Sequence, residues 1–224
     1  MNKKILSKLI LDSKNDLTKI TQPYILDTFG VEVDRCDTLE QYVKSIDSAC
    51  LHKYFSKYWD NDMKKWKYSG LALIDEVNSL KPRAVLDVGC GYNEFKGKID
   101  NLIGIDPYNN LADLEVGTLE YKTDQKFDVI LCLGSVNFGS RDKIIAEVGR
   151  CVDLLAEGGT MFFRVNPGVQ HDKPEADWIE FFAWNVPFII ELSNMFNLDI
   201  LDIRDDTNQR KYFIFRKKLT NLEK

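Results

Sequence analysis

The sequence predicts an α/β protein: a mostly parallel sheet of seven strands with helices on both faces, its last strand reversed, preceded by a helical extension. Three observations carry this. From residue 84 onward, short and nearly continuous apolar runs alternate with helical stretches, the pattern of a parallel sheet covered on both sides. The last two runs are joined by "DDTNQRK", too short for a helical crossover, so they pair as an antiparallel hairpin. Before residue 83, apolar residues recur at three- and four-residue spacing instead, which marks helices.

Taken in chain order, Ile5, Leu6, Leu9 and Ile10 fit one face of a short amphipathic helix. Leu39 to Tyr58 and Asp62 to Leu80 read as two longer helices, the second ended by "LKPRA", because the residue before Pro82 is pushed out of the α region. Strands are predicted at Ala84–Val88, Leu102–Ile105, Thr118–Lys122, Phe127–Leu133, Thr160–Val165, Leu198–Arg204 and Lys211–Arg216. Arg141–Leu155 is a helix with Ile144, Ile145, Val148, Val152 and Leu155 on one face, and Glu175–Phe196 is another, opened by Pro174. The change of character sets the expected division: a helical cap over residues 1–60 and an α/β domain over 61–224.

The bulk properties narrow the function. The chain has 224 residues, 44% hydrophobic and 29% charged, enough for one sizeable core. A net charge of -5 gives no global attraction to nucleic acid or anionic lipid. The five cysteines, Cys36, Cys50, Cys90, Cys132 and Cys151, form no C-x-x-C pair, and His52 and His171 are the only histidines. No metal site is therefore expected, and free thiols fit a reducing cytoplasm. The basic start is not a signal peptide by pattern: Lys8 breaks the apolar run, Asp12, Lys14 and Asp16 follow, and there is no small-residue cleavage site. No run approaches the length of a membrane span. The expectation is a soluble cytoplasmic protein.

One stretch carries chemistry. In "VLDVGCGYNEF" a buried-type strand runs into Gly89 and Gly91, where glycine loses side-chain contacts and costs unfolded-state entropy. Ligands of open α/β sheets sit beyond the carboxyl ends of the strands, so the bare backbone reads as room for a cofactor. A dinucleotide fingerprint requires glycine where Glu94 stands, and a carboxylate opposes a pyrophosphate. The phosphate-loop pattern is absent.

"VLDVGCGYN" resembles the first motif of the class I S-adenosylmethionine-dependent methyltransferases, with Asn93 in place of the last glycine; asparagine tolerates left-handed backbone. "LIGIDP" puts Asp106 at the end of the second strand, "FDVILCLGSVNFG" resembles the family's fourth-strand motif, and "LLAEGGTMFFRV" its helix, turn and fifth strand. The reversed last strand is a further likeness. The resemblance runs from about Trp59 to the C-terminus and implies a three-layer Rossmann-like methyltransferase fold.

It also implies roles. Asp87, Gly89, Cys90 and Gly91 would surround the methionine part of S-adenosyl-L-methionine, with the Cys90 thiol a packing group rather than a nucleophile. Asp106 would hold the ribose, with Pro107 or Tyr108 beside it, and main-chain atoms of Leu133 and Gly134 would line the pocket. Asp113 and Asp124 compete for the adenine. The loop "NPGVQHD" follows the fifth strand, so Asn166, His171 and Asp172 are the candidates for contacting the acceptor, with His171 suited to accept a proton near neutral pH. His171 also fits an ordinary surface loop. Tyr54, Phe55, Tyr58, Trp59, Trp66 and Tyr68 are either core or a substrate cage.

The reading is methyl transfer to a small-molecule oxygen or nitrogen acceptor, such as a sugar or another metabolite. Neither the [DNS]-P-P-[YFW] motif of DNA amino-methyltransferases nor the proline-cysteine pair of cytosine C5 methyltransferases is present, which argues against a nucleic-acid partner. The alternative is a catalytically inactive descendant of the fold that serves as a binding or structural subunit.

Overall fold

The computed structural model describes residues 1–59 and 66–219. It divides into two compact units: Met1–Asp60 with Phe138–Ser140 and Val169–Phe181, and Asn61–Asn137 with Arg141–Gly168 and Phe182–Lys224.

The first unit is helical. Its helices are α1 (Lys3–Ser13), α2 (Gln22–Phe29) and α3 (Leu39–Lys53). Asn2 caps α1 by accepting from the Ile5 N–H, and its Nδ2 donates to Asp47 and to the Trp178 carbonyl, each at 2.7 Å. Thr38 and Gln41 form a capping box on α3. Ile5 and Leu9 are fully buried, as their spacing requires, against Ile25, Val43 and Ile46, whereas Ile10 is exposed. The predicted helix to Tyr58 does not stay α-helical: after Lys53 the chain widens into a π-helical turn, Tyr54–Tyr58.

The second unit is a sheet between helices. Its strands are β1 (Val85–Val88), β2 (Leu102–Ile105), β3 (Phe127–Leu133), β4 (Leu155–Val165), β5 (Leu198–Asp205) and β6 (Lys211–Lys217), in the order β2-β1-β3-β4-β6-β5. The first four are parallel, and β6 runs antiparallel to both β4 and β5. Alternation along the strands sends Leu86, Ile130, Phe163, Phe213 and Phe215 to one face, under α5 (Arg141–Leu154) and α6 (Val186–Met195). Val85, Val129, Leu131, Phe162 and Ile214 go to the other, under α4 (Leu73–Ser79). Each such side chain contributes about 1.5–3 kcal/mol by leaving water.

Six strands, not seven, form among the described residues. Thr118–Lys122 is a turn closed by the Tyr121 N–H on the Gly117 carbonyl, because only Tyr121 finds a buried place while Leu119 stays exposed. The outer side of β2 is occupied otherwise. Asp113 accepts the Gly104 N–H on its carboxylate at 2.8 Å and donates its own N–H to the Gly104 carbonyl at 2.9 Å, and Lys96 pairs with the same carboxylate.

Two predicted helices are shorter than expected. Glu175–Phe196 is helical only over a 3-10 turn at Pro174–Ala176 and over α6, which restarts where Asn185 caps the Phe188 N–H ahead of Pro187. Of Asp62–Leu80, the first residues lie outside those described, and α4 begins only at Leu73. The reason is Asp206, at the β5–β6 turn, whose buried carboxylate accepts from Lys67 N–H, Tyr68 N–H and Ser69 Oγ and pairs with Arg164, drawing that backbone away from helical bonding. Arg164 lies 4.2 Å from the centre of the Trp66 ring. Burial raises the Asp206 carboxyl, but its donors and Arg164 outweigh it and hold it below the usual carboxylate range. After α4, Lys81 takes φ +50° before Pro82, so the helix cannot continue.

Candidate functional site

The strand order places a topological switch point at β1: the chain passes from β1 to β2 on one side and to β3 on the other, which opens a crevice at their carboxyl ends. Gly89 and Gly91 follow β1 there. Gly89 has φ +66°, and a Cβ on it would stand 2.3 Å from the Ser135 Cβ, which follows β3. Gly91 has φ +55° and aims its N–H at Asp106 Oδ2, 3.0 Å away. The bareness of this loop thus has an internal cause: the two strand ends meet too closely for a side chain. Gly89→Ala is expected to cost about 2 kcal/mol in chemical denaturation, from strained φ and the collision. Adding Ser135→Gly should recover about half of that by removing only the collision.

Asn93 adopts the left-handed conformation its position demands, φ +55°, and its Nδ2 donates to the Leu111 carbonyl at 3.1 Å. Its Oδ1 packs on Gly104, where a Cβ would stand 2.5 Å away.

Two carboxylates lie beneath the loop. Asp106, 8% exposed, accepts from the Gly91 N–H on one oxygen and from the Tyr108 N–H on the other, at 3.0 and 2.8 Å. Burial raises its pKa, and the backbone donors pull it back only in part. Asp87, 3% exposed, is pushed up to about 7 by burial first and by the like charge of Asp106 second. A buried carboxyl so placed is answered by a cation or held neutral. Burial and the neighbouring carboxylates push the Cys90 thiol up as well, so it is no ready nucleophile.

Leu133 ends β3 half-buried, and Gly134 follows with φ +109° and nothing within 4 Å of where a Cβ would stand, so the crevice is open at that point. Pro107 is exposed beside Asp106. Asp113, the partner of Gly104 and Lys96, is committed to the β2 edge, and Asp124 is exposed in a loop.

The acceptor-side candidates divide between the units. Asn166 follows β4 and is wholly buried; its Oδ1 accepts the Gly168 N–H at 2.9 Å and shapes the turn. Asn137 carries no signal in the sequence, yet it ties the ends of β3 and β4: its Oδ1 accepts the Asn166 N–H at 2.8 Å and its carbonyl the Phe182 N–H. His171 belongs to the helical unit, where its Nδ1 lies 2.8 Å from the Tyr54 hydroxyl and its ring 4.5 Å from that of Phe181. Asp172 beside it is exposed. Among the described residues no group of three His, Cys, Asp or Glu is gathered for a metal ion, and no helix is long and apolar enough to cross a membrane.

No protein-family model matches the chain, and no curated protein matches it in sequence. Solved structures do. A 1,6-didemethyltoxoflavin N1-methyltransferase from Burkholderia thailandensis, bound to 1,6-didemethyltoxoflavin and S-adenosylhomocysteine, superposes with TM-score 0.58 at 14% identity, over 84% of this chain and 94% of that one. An S-adenosylmethionine-dependent methyltransferase from Clostridium acetobutylicum gives 0.53 at 17%, over 75% and 97%. The N-methyltransferase NodS from Bradyrhizobium japonicum gives 0.51 at 14%, over 66% and 93%. At such identities what is shared is the fold.

Proposed function

Because the chain has the class I methyltransferase fold, we propose that it is an S-adenosyl-L-methionine-dependent methyltransferase acting on a small-molecule oxygen or nitrogen acceptor. The single observation that carries the reading is the pair of buried carboxylates, Asp87 and Asp106, under a glycine loop at the switch point. Both fit the cofactor. Asp106 has its two oxygens fixed by backbone donors and keeps lone pairs for two ribose hydroxyls. Asp87 offers a buried carboxyl, ionised when answered by a cation, to a ligand that carries an ammonium and a sulfonium. The open side of Gly134 leaves room for it.

The cofactor supplies, when bound, a methyl carbon already activated for in-line displacement, so the protein mainly binds, aligns and excludes water. Asp87 and the Gly89–Gly91 backbone, Cys90 included, hold the methionine end. Asp106 holds the ribose, with Pro107 and Tyr108 beside it. Leu133 and Gly134 line the pocket with main chain. Asp113 supports the adenine side by fixing the β2 edge. His171 takes the acceptor proton, Asp172 lies next to it, and Asn166 holds the turn from which their loop departs.

Calorimetric titration with S-adenosylmethionine and S-adenosylhomocysteine tests this. Micromolar binding of both is expected. No heat from either, with the protein folded, would sink the proposal in favour of a non-catalytic descendant of the fold.

A further inference from the structure

Among the described residues the buried charged side chains are Asp87, Asp106, Asp206 and, as the one cation, Arg164. Arg164 stands one residue before the end of β4, on a face of the sheet where Leu131, Phe162 and Ile214 are apolar. A guanidinium in such a place is unfavourable unless its donors are used. They are used poorly. Nε reaches Asp206 and Nη2 the Thr207 carbonyl, each at 3.3 Å, and Nη1 finds no acceptor among the described residues. Burial pulls the Arg164 pKa down, and Asp206 restores only part of it.

Asp206 is well supplied without Arg164. Its carboxylate also accepts from the Lys67, Tyr68 and Thr207 N–H groups and from Ser69 Oγ. Pinning the β5–β6 turn therefore leaves the guanidinium able to take a second anion. The Trp66 ring covers one face of it, which fixes the plane of the fork without using a donor.

The sheet register shows what this cation stands across from. Asp87 pairs with Leu131, and Leu133 pairs with Arg164. By alternation these four side chains share one face. Arg164 is thus two strands across from Asp87 and two residues nearer the carboxyl ends, about 12 Å between Cα atoms. An aspartate, an α-amino acid and an arginine, joined by hydrogen bonds of about 2.8 Å, together cover that distance.

We infer that Arg164 binds the α-carboxylate of the cofactor's amino-acid end, while Asp87 takes its ammonium. The inference rests on the methyl-transfer reading above and deepens it. Asp87 and Asp106 answer the ammonium and the ribose and leave the carboxylate without a partner. Beside two buried acids that carboxylate is repelled unless a cation stands with it. Nη1 gives it one charge-assisted bond without loosening the hold on Asp206, and the stacked fork is already oriented to do so.

Calorimetric titration of the full chain with S-adenosylhomocysteine, and with its decarboxylated analogue, isolates the carboxylate, because the analogue keeps the ammonium and the ribose. In the parent the analogue should bind about thirtyfold more weakly, as for one hydrogen bond between charged groups. Arg164→Met keeps an apolar contact with Trp66 and removes the charge, and should reduce that ratio to about threefold or less. Arg164→Lys keeps a cation beside Asp206 and so spares the fold; its ratio should lie between the two. Ser69→Ala loosens the Asp206 cluster without touching the guanidinium, and should keep the parent ratio. An unchanged ratio in both Arg164 variants would overturn the inference. An equal fall in Ser69→Ala would do the same, since the effect would then be one of fold. Equal affinities of the two ligands in the parent would sink the role of Arg164 and leave the methyl-transfer reading standing, whereas no heat from either ligand would remove that reading and the inference with it.

Discussion

Asp106→Ala is expected to weaken S-adenosylmethionine binding by about a hundredfold or more in calorimetric titration. Two hydrogen bonds from ribose hydroxyls to a buried, ionised acceptor are each worth about 1.5–3 kcal/mol, and their joint loss removes two or more decades of affinity. The same carboxylate fixes the Gly91 and Tyr108 N–H groups, so the variant also loses fold stability, about 1–2 kcal/mol. Thermal unfolding of the ligand-free variant separates the two effects. If the variant bound the cofactor as tightly as the parent, Asp106 would be a loop staple and nothing more.

Asp87→Asn is expected to stabilise the ligand-free fold at neutral and alkaline pH by on the order of 4 kcal/mol. The folded carboxyl titrates at about 7 against 3.8 in the open chain, raised by burial and then by Asp106. A raised acid withholds stability: below about pH 4 both states are protonated and nothing is lost. Between about 4 and 7 the unfolded chain is ionised and the folded one is not, so parent stability falls with each unit of pH. Above 7 the loss is complete. The gain in the variant should therefore be absent at pH 4 and full at pH 8, read by denaturant unfolding at both. A gain independent of pH would show that the carboxyl is ionised in the fold at ordinary cost. In the parent, cofactor binding should release a proton near pH 6.5, visible as a dependence of the binding heat on the buffer, and Asp87→Asn should lose that dependence.

The parts of the molecule that a short stretch of chain decides are legible in the amino-acid sequence. Val85–Val88 with its glycines, Asp106 at the end of β2, Asn93 in the left-handed region and the reversed β6 follow from local pattern and turn chemistry. What tertiary contact decides is not legible there. Thr118–Lys122 has the composition of a strand, but a strand needs more burial than Tyr121 alone provides. Ser135 reads as an ordinary loop residue, and only the convergence of β1 and β3 makes it the reason for Gly89. The aromatic residues from Tyr54 to Tyr68 read as one set and are in fact two. Tyr54, Phe55 and Trp59 join Phe138, His171 and Phe181, while Trp66 stacks on Arg164 and Tyr68 on Tyr212. Proximity along the chain is a poor guide to company in space.

The side-chain seal on β2 has a colloidal consequence. An outermost strand presents unpaired backbone groups to any second copy in solution, and proteins blunt such strands to stay dispersed. Here a single carboxylate closes the exposure at Gly104, held ionised because the Gly104 N–H and Lys96 outweigh its burial and keep it below the usual range. Acidification through that range protonates Asp113 and loosens its hold on the Gly104 N–H and on Lys96, while the backbone bonds of Asp113 and Leu114 to the same edge, which do not titrate, keep the strand covered and the protein dispersed.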